Sequence, residues 1–200
     1  MSSLEKLRAH SRIARLAYAL DTRTCIEEED EGAQKAGVAI LIRLGGNAEP
    51  ELFFIQRAVY DADPWSGQIA FPGGRSEPGD ETLRDTAIRE TLEETSIDLR
   101  QCGEMLGTLD DLRPTARLLP RVIVRPYVFL TGGTPDPEMS HEVAACFWVP
   151  LSVLLDRSVW KETTVLAGGV EMSRFAFHHQ GYVIWGMTER ILSGLLGLVD

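Results

Sequence analysis

The chain has 200 residues, of which 44% are hydrophobic and 25% are charged, and its formal net charge is −10. This length and composition are typical of one globular domain with a sizeable core. The acidic balance disfavours binding to a nucleic-acid backbone, which requires a basic surface. Because the sequence has no apolar run that approaches a membrane span, we also expect no membrane insertion.

Residues 3–20 repeat apolar side chains at helical spacing, and the acidic stretch 27–32 follows them. This pattern predicts a helix and a linker, together residues 1–33, ahead of a main domain formed by residues 34–200. Charged residues interrupt the leucines of the helix, so it lacks the apolar core of a signal peptide and we expect a cytoplasmic protein. We expect the helix to pack on the domain or to join two copies in a homodimer.

Short apolar runs rich in β-branched residues predict strands at 35–44 and 51–57, joined by a hairpin turn at Gly45-Gly46-Asn47. Pro126 lies in a later predicted strand and indicates an edge position or a bulge, since proline has no N–H to donate. The other expected elements are strands at 104–109, 121–130 and 143–150, a short helix at 151–155, a hairpin at 163–177 centred on Gly168-Gly169, and a terminal helix at 182–199. Together they predict an α/β domain.

Residues 58–68 form a polar segment that is longer than a simple turn requires, and such loops often carry function. Arg57 ends the preceding strand and leads into this loop. An arginine can meet a phosphate with two parallel hydrogen bonds, so Arg57 is a candidate phosphate contact and Arg75 is a second. Tyr60 and Trp65 are candidates to stack on a base.

The stretch 67–97 predicts an apolar strand, a break at Pro72-Gly73-Gly74, a polar loop and then a helix. The helix is expected to start within residues 80–82, with Asp80 as the N-cap. Its apolar stripe is predicted to contain Ile88, Leu92 and Leu99, with Thr95 between them, and to face the core.

Three carboxylates, Glu90, Glu93 and Glu94, are spaced to share an arc of about 100° on this helix, facing away from the core. Asp85 and Glu93 can each meet Arg89 one turn away, which leaves the other two glutamates without a basic neighbour on the helix. Like charges at this spacing cost about 0.2–0.5 kcal/mol per pair, and a divalent cation would remove that cost. Oxygen ligands beside a glycine turn suit Mg²⁺ or Mn²⁺. A solvated acidic face is the alternative.

The order Gly74, Glu81, Arg89-Glu90, Glu93-Glu94 and Ile97 resembles the signature of the Nudix hydrolases, which cleave a nucleoside diphosphate linked to another group. The chain departs from that signature by one extra residue between Gly74 and Glu81, by Thr91 in place of an aliphatic residue, and by Ser96 in place of a glycine. The resemblance implies the Nudix α/β/α sandwich with a mixed central sheet.

The same resemblance implies roles for the signature residues. Glu90 and Glu94 look like the main metal ligands, with Glu93 as a third ligand or a base. Arg89 is similar to the family arginine that orients the glutamates, through Glu81 or through Glu93.

Two other features complete the expected site. The backbone at Gly73 and Gly74 can approach the same metal ions, because no Cβ intrudes. The general base in the family is either a signature glutamate or a residue on a distant loop, and His141 and Glu142 are the distant candidates in this sequence.

Segments 67–80, 142–156 and 181–192 resemble the coenzyme A pyrophosphatase branch of the Nudix hydrolases, which splits coenzyme A into 4′-phosphopantetheine and adenosine 3′,5′-bisphosphate. The run 57–67 departs from that branch, because acidic and aromatic residues replace the basic residue that could meet the 3′-phosphate. The alternatives are a hydrolase of ADP-ribose or another nucleoside diphosphate sugar, and a Nudix-fold module that binds a nucleotide without catalysis.

Overall fold

The computed structural model describes residues 1–60, 65–114, 120–133, 135–167 and 170–199. Its helices are α1 (Ser3–Ala9), α2 (Ser11–Thr22), α3 (Leu83–Thr95), α4 (Leu99–Cys102), α5 (Leu151–Leu155) and α6 (Gly186–Val199). Its strands are β1 (Gln34–Leu44), β2 (Pro50–Arg57), β3 (Ile69–Ala70), β4 (Gly73–Arg75), β5 (Gly103–Thr108), β6 (Val122–Thr131), β7 (Val143–Pro150), β8 (Trp160–Ala167), β9 (Val170–His179) and β10 (Tyr182–Ile184).

One mixed sheet organises the molecule. Its main path is β3-β2-β1-β6-β5, with β4 paired to β1 and β7 paired to β2. The central strands β1 and β6 run parallel, whereas the other pairs of this sheet are antiparallel. Strands β8, β9 and β10 form a smaller antiparallel sheet. The predicted hairpin is confirmed in β8 and β9, while its expected centre, Gly168-Gly169, lies outside the described residues.

Alternate side chains of β1 enter two separate cores, as the period of a strand requires. Ile40 and Ile42 belong to the core on the side of α1, α2 and α6. Ala39 and Leu41 belong to the core on the opposite face, which α3 and α4 cover. Helices therefore lie on both faces of a mixed sheet, and the predicted α/β/α sandwich is confirmed.

The N-terminal segment is two helices rather than the single predicted one, because the chain is extended at His10 between α1 and α2. Ser2 and Glu5 form a capping box that starts α1. The apolar face of this helix pair is buried in the core of its own chain through Leu7, Ile13, Leu16 and Leu20. The acidic linker is held by arginines, in the pairs Arg113–Glu28, Arg121–Asp30 and Arg125–Glu27.

Pro126 lies in a central strand, so the predicted edge position is wrong. The pairing of β5 with β6 does contain a bulge, but it lies between Met105 and Gly107 rather than at Pro126. Strand β6 has β1 on one side and β5 on the other. The carbonyl of Pro126 accepts the N–H of Leu109 at 3.0 Å, one residue after β5 ends. Pro126 has no N–H to donate to the carbonyl of Leu109. That carbonyl accepts a hydrogen bond from the thiol of Cys25 at 3.0 Å. The missing donor is therefore replaced by a distant side chain.

The C-terminal segment also differs from its prediction, because Tyr182–Ile184 is a strand and the last helix begins only at Gly186. Gly186 has a φ of +71°, a left-handed conformation that separates the two elements. Within the described residues, no helix is long and apolar enough to cross a membrane.

Candidate active site

Three glycines allow strand β1, strand β4 and helix α3 to pack close together. A Cβ on Gly37 would overlap the backbone of Leu83 at the start of α3. A Cβ on Gly74 would overlap the carboxylate of Glu90, and Gly73, at a φ of +149°, lies against Val38. Strand β4, which we call the glycine strand, therefore places its backbone atoms directly against the acidic face of α3.

Thr82 is the N-cap of α3, and the prediction that Asp80 caps it is wrong. The Thr82 hydroxyl accepts the N–H of Asp85 at 3.2 Å. Asp80 instead accepts two hydrogen bonds of 3.0 Å from the guanidinium of Arg89. Asp85 pairs with Arg100 rather than with Arg89.

The buried face of α3 matches the predicted stripe only in part, since Ile88 and Thr95 are buried as expected. Leu92 is 40% exposed, and Leu99 is buried but belongs to the separate helix α4. Thr91 is fully buried as well as Thr95, and the hydroxyl of each donates to the carbonyl four residues before it at 2.6 Å. Because these hydroxyls are satisfied within the helix, threonine can occupy the core where an apolar residue was expected.

Glu94 is also part of the buried face, so the expectation that all three glutamates point away from the core is wrong. It is 3% exposed, and its Oε2 accepts the N–H of Gly73 at 2.9 Å. Burial raises the pKa of Glu94 to about 8, although the hydrogen bond from Gly73 and the charge of Arg57 oppose the rise. The carboxylate is therefore held against the glycine strand in a desolvated position.

Glu90 and Glu93 have different surroundings. The side chain of Glu90 is 17% exposed, and burial raises its pKa. The side chain of Glu93 is 57% exposed. Both accept hydrogen bonds of 3.0 Å from the same nitrogen of Arg89, so this arginine joins two of the three glutamates.

Arg89 has four partners, and the predicted partner Glu81 is not among them. Besides Glu90 and Glu93, it binds Asp80 and the carbonyl of Arg75 at 3.1 Å. Five residues separate Gly74 from Asp80, as in the signature, although eight rather than seven separate Asp80 from Arg89. Asp80 makes the contact with Arg89 that was predicted for Glu81. Glu81 is an exposed neighbour. The spacing of five residues between Gly74 and Asp80 could have been read from the sequence.

A cavity of about 790 Å³ lies beside these residues. Most of the predicted site residues line it, whereas Glu81, Arg89 and Glu93 do not. The predicted residues in its wall are Arg57, Trp65, Gly73, Gly74, Arg75, Glu90, Glu94 and Glu142, together with the candidates Tyr60 and His141. Sequence reasoning missed Glu77 and three residues of α6, namely Met187, Thr188 and Ile191.

The turn that carries His141 and Glu142 is fastened to the site by backbone hydrogen bonds. Ser140 N–H donates to the carbonyl of Glu94 at 3.0 Å, and Ala58 N–H donates to the carbonyl of Glu142 at 2.8 Å. The Tyr60 hydroxyl donates to the carbonyl of His141 at 3.0 Å. The turn therefore bridges the end of α3 and the end of β2.

The donor set in the cavity suits a hard divalent cation. Glu90, Glu94 and Glu142 supply only carboxylate oxygens, the ligand type that Mg²⁺ and Mn²⁺ prefer. The charge of Glu142 contributes to the raised pKa values of Glu90 and Glu94, so the three acids act on one another. In the described part of the chain, no three such side chains already converge on one point. Glu90 and Glu94 are held instead by Arg89 and Gly73.

A mixed-sheet sandwich with carboxylates and arginines around one cavity is suited to an enzyme that acts on phosphates. The family model for the NUDIX domain matches residues 33–168, and the chain belongs to this family. Nudix hydrolases act on pyrophosphate bonds and use divalent metal ions. The predicted family and the predicted class of enzyme are therefore confirmed.

Two bacterial relatives are similar over most of their length. The uncharacterized Nudix hydrolase NudL of Photorhabdus laumondii is 32% identical over 78% of this chain and 81% of its own. The protein of the same name from Yersinia enterocolitica is 32% identical over 81% of this chain and 80% of its own. A solved MutT/nudix family protein from Enterococcus faecalis has a TM-score of 0.56 at 19% identity, over 98% of this chain and 73% of that one. This last likeness shows the fold alone.

Proposed function

We propose that this enzyme hydrolyses coenzyme A to 4′-phosphopantetheine and adenosine 3′,5′-bisphosphate, with Mg²⁺ or Mn²⁺ as the cation. One observation carries the proposal. The three segments that resemble the coenzyme A pyrophosphatase branch are far apart in sequence, yet all of them reach the same cavity: residues 67–80 supply Gly73 and Gly74, residues 142–156 supply Glu142, and residues 181–192 supply Met187, Thr188 and Ile191.

Hydrolysis of a pyrophosphate requires positive charge on the phosphates and a deprotonated water directed at phosphorus. We assign Glu90 and Glu94 as the cation's ligands. A bound divalent cation would neutralise phosphate charge and lower the pKa of a coordinated water. Glu142 lines the same cavity as Glu90 and Glu94 and is our candidate for the general base. We assign Glu93, which is outside the cavity, to orienting Arg89 rather than to binding the cation.

Two arginines are assigned to the substrate, and a third is assigned to the residues that would hold the cation. Arg57 and Arg75 line the cavity and are assigned to the phosphates, which an arginine can bind with two parallel hydrogen bonds. Arg89 is engaged by Asp80, so we assign it to holding Glu90 in position. Asp80 takes the role that the signature suggested for Glu81.

A second candidate function is hydrolysis of ADP-ribose or another nucleoside diphosphate sugar. The loop that holds Tyr60 and Trp65 favours it, because acidic and aromatic residues there replace the basic residue that could meet the 3′-phosphate of coenzyme A. A non-catalytic nucleotide-binding module is less favoured, because both assigned ligands are present and border the cavity.

A product assay tests these alternatives. The purified chain would be offered coenzyme A, ADP-ribose and UDP-glucose separately with Mg²⁺ or Mn²⁺, beside Glu94→Gln and the matched control Glu81→Gln. We expect turnover of coenzyme A to fall by about 10²-fold or more in Glu94→Gln and to be unchanged in Glu81→Gln. Turnover of the sugar nucleotides alone would support the second candidate. No turnover of any substrate would support the binding module.

A further inference from the structure

The wall of the cavity is chemically divided between its structural elements. In the described residues, the charged lining groups come from the end of β2, from β4 and the loop after it, from α3, and from the 141–142 turn. Strand β6 and helix α6 contribute only uncharged side chains. We call this group the uncharged wall, which consists of Val122, Val124, Met187, Thr188 and Ile191.

The uncharged wall is a fixed part of the fold. Val122, Val124 and Ile191 belong to the main core and are 6%, 8% and 3% exposed. The Thr188 hydroxyl donates to the carbonyl of Ile69 at 2.9 Å, which ties the first turn of α6 to β3. Met187 is only partly buried and packs against that core. Its unbranched thioether side chain is the adaptable member of the wall.

We propose that the uncharged wall binds the pantetheine arm of the substrate, and that Met187 is a residue that determines specificity for this arm. This inference rests on the proposed function. The two halves of coenzyme A differ in charge. The nucleotide half carries a 3′-phosphate in addition to the diphosphate, whereas the pantetheine arm beyond the diphosphate is neutral. A phosphate without a cationic partner is costly to bury, and the uncharged wall offers no cation, so the 3′-phosphate and its nucleotide belong away from this wall.

The wall also offers one polar contact that the arm can use. Because the Thr188 hydroxyl donates its hydrogen to Ile69, what it offers to an amide N–H of the arm is the lone pairs of its oxygen. A sugar in the same place would leave several hydroxyls without partners against valine, isoleucine and methionine. The wall therefore selects against a nucleoside diphosphate sugar.

Enzyme kinetics test the role of Met187. We expect Met187→Gln to raise KM for coenzyme A about tenfold with little change in kcat, and Met187→Leu to retain the KM of the parent enzyme. Inhibition by adenosine 3′,5′-bisphosphate should be unchanged in both variants. Met172→Gln, at a partly buried methionine of β9 outside the cavity, is the matched control. An unchanged KM in Met187→Gln, or an equal loss of affinity for the bisphosphate, would overturn the proposal.

A binding measurement separates this proposal from the proposed function. The chain has five methionines, so ¹³C-methyl methionine spectra should contain five signals, of which Met187→Leu identifies one. We expect free pantetheine, which carries no phosphate, to shift the Met187 signal and adenosine 3′,5′-bisphosphate to leave it in place. If coenzyme A is hydrolysed but pantetheine does not shift this signal, the wall is wrongly assigned and the proposed function stands. If the signal shifts but coenzyme A is not hydrolysed, the proposed function fails.

Discussion

Gly74 sets the distance between the glycine strand and Glu90. A methyl group at this position would overlap the Glu90 carboxylate, which is held on its other side by Arg89. We expect Gly74→Ala to displace Glu90 and lower kcat/KM by about 10–100-fold, because losing a contact that orients a metal ligand typically reduces activity by that factor. Its free energy of unfolding should fall by about 1 kcal/mol.

The control for this change is Gly79→Ala, in the loop that follows β4. No atom lies within 4 Å of a Cβ built on Gly79. Its kcat/KM should therefore equal that of the parent enzyme. If Gly74→Ala is as active as this control, activity does not depend on the position of the Glu90 carboxylate beside Gly74.

Asp80 is the acid that holds Arg89, and its side chain is only 6% exposed. The guanidinium of Arg89, the N–H of Glu77 and the Thr86 hydroxyl hold the pKa of Asp80 far below its usual range. We expect Asp80→Asn to lower the free energy of unfolding at pH 7 by about 2–3 kcal/mol, because a charged hydrogen-bond pair loses its acceptor charge. Urea unfolding measures the change.

The effect of Asp80 should depend on pH in one direction. A carboxyl whose pKa is lowered by folding stabilises the protein fully above its unfolded pKa of about 4, and that contribution is lost as the pH falls below it. The difference between Asp80→Asn and the parent should therefore shrink from pH 7 to pH 3. Asp136→Asn, at an exposed loop position, should show no difference at either pH.

At the scale of elements, helix α3 ends on a residue in a left-handed conformation. Ser96 has a φ of +58° and donates its N–H to the carbonyl of Leu92 at 2.8 Å. Glycine is favoured at such a C-terminal position, because a Cβ makes the left-handed region unfavourable. We expect Ser96→Gly to raise the free energy of unfolding by about 1 kcal/mol.

A serine inside a strand gives the opposite sign and serves as the control. Ser173 lies within β9, paired with Thr164 of β8. Ser173→Gly should lower the free energy of unfolding by about 0.5–1 kcal/mol, since glycine loses more conformational freedom there. If both variants are destabilised equally, the conformation of Ser96 carries no strain that glycine relieves.

The extent to which the sequence predicts these elements depends on whether local or distant contacts decide them. Strands β1 and β2 follow their apolar runs to within a residue. The buried face of α3 was only partly predictable from apolar spacing: Ile88 and Thr95 are buried as expected, but Thr91, which satisfies its hydroxyl on the helix itself, is buried while Leu92 remains exposed. The central position of Pro126 was not predictable either, because the carbonyl opposite it, that of Leu109, accepts the thiol of Cys25, a residue far away in sequence.

At the scale of the whole molecule, the two ends of the chain close one face of the sheet. Leu16 of α2 and Leu195 of α6 are fully buried in the same core as Ile40 of β1. The spacing of apolar residues predicted helices at both ends, but could not show that they meet over the sheet. For the same reason the signature pointed to the acidic residues of α3 in the cavity, whereas the contribution of α6 to the cavity emerged only from the fold.

Glu94 links the stability of the whole domain to the proposed cation. Because folding raises the pKa of Glu94 to about 8, the cation-free protein should lose stability as the pH rises from about 4.5 to about 8. Glu94→Gln removes this cost, so we expect it to be about 1–3 kcal/mol more stable than the parent at pH 7.5 without cation. This is the gain expected when a functional buried charge is removed.

Added Mn²⁺ should reverse that order. A cation that binds only the folded state stabilises it by about 2.7 kcal/mol at 100 times its dissociation constant, so Mn²⁺ should raise the Tm of the parent and EDTA should abolish the rise. Glu94→Gln should show a much smaller rise, while Glu81→Gln should respond like the parent. Thermal unfolding with and without Mn²⁺ measures both effects. An equal Mn²⁺ response in Glu94→Gln would mean that the buried carboxylate is not a ligand, since the cation would then be held elsewhere on the chain.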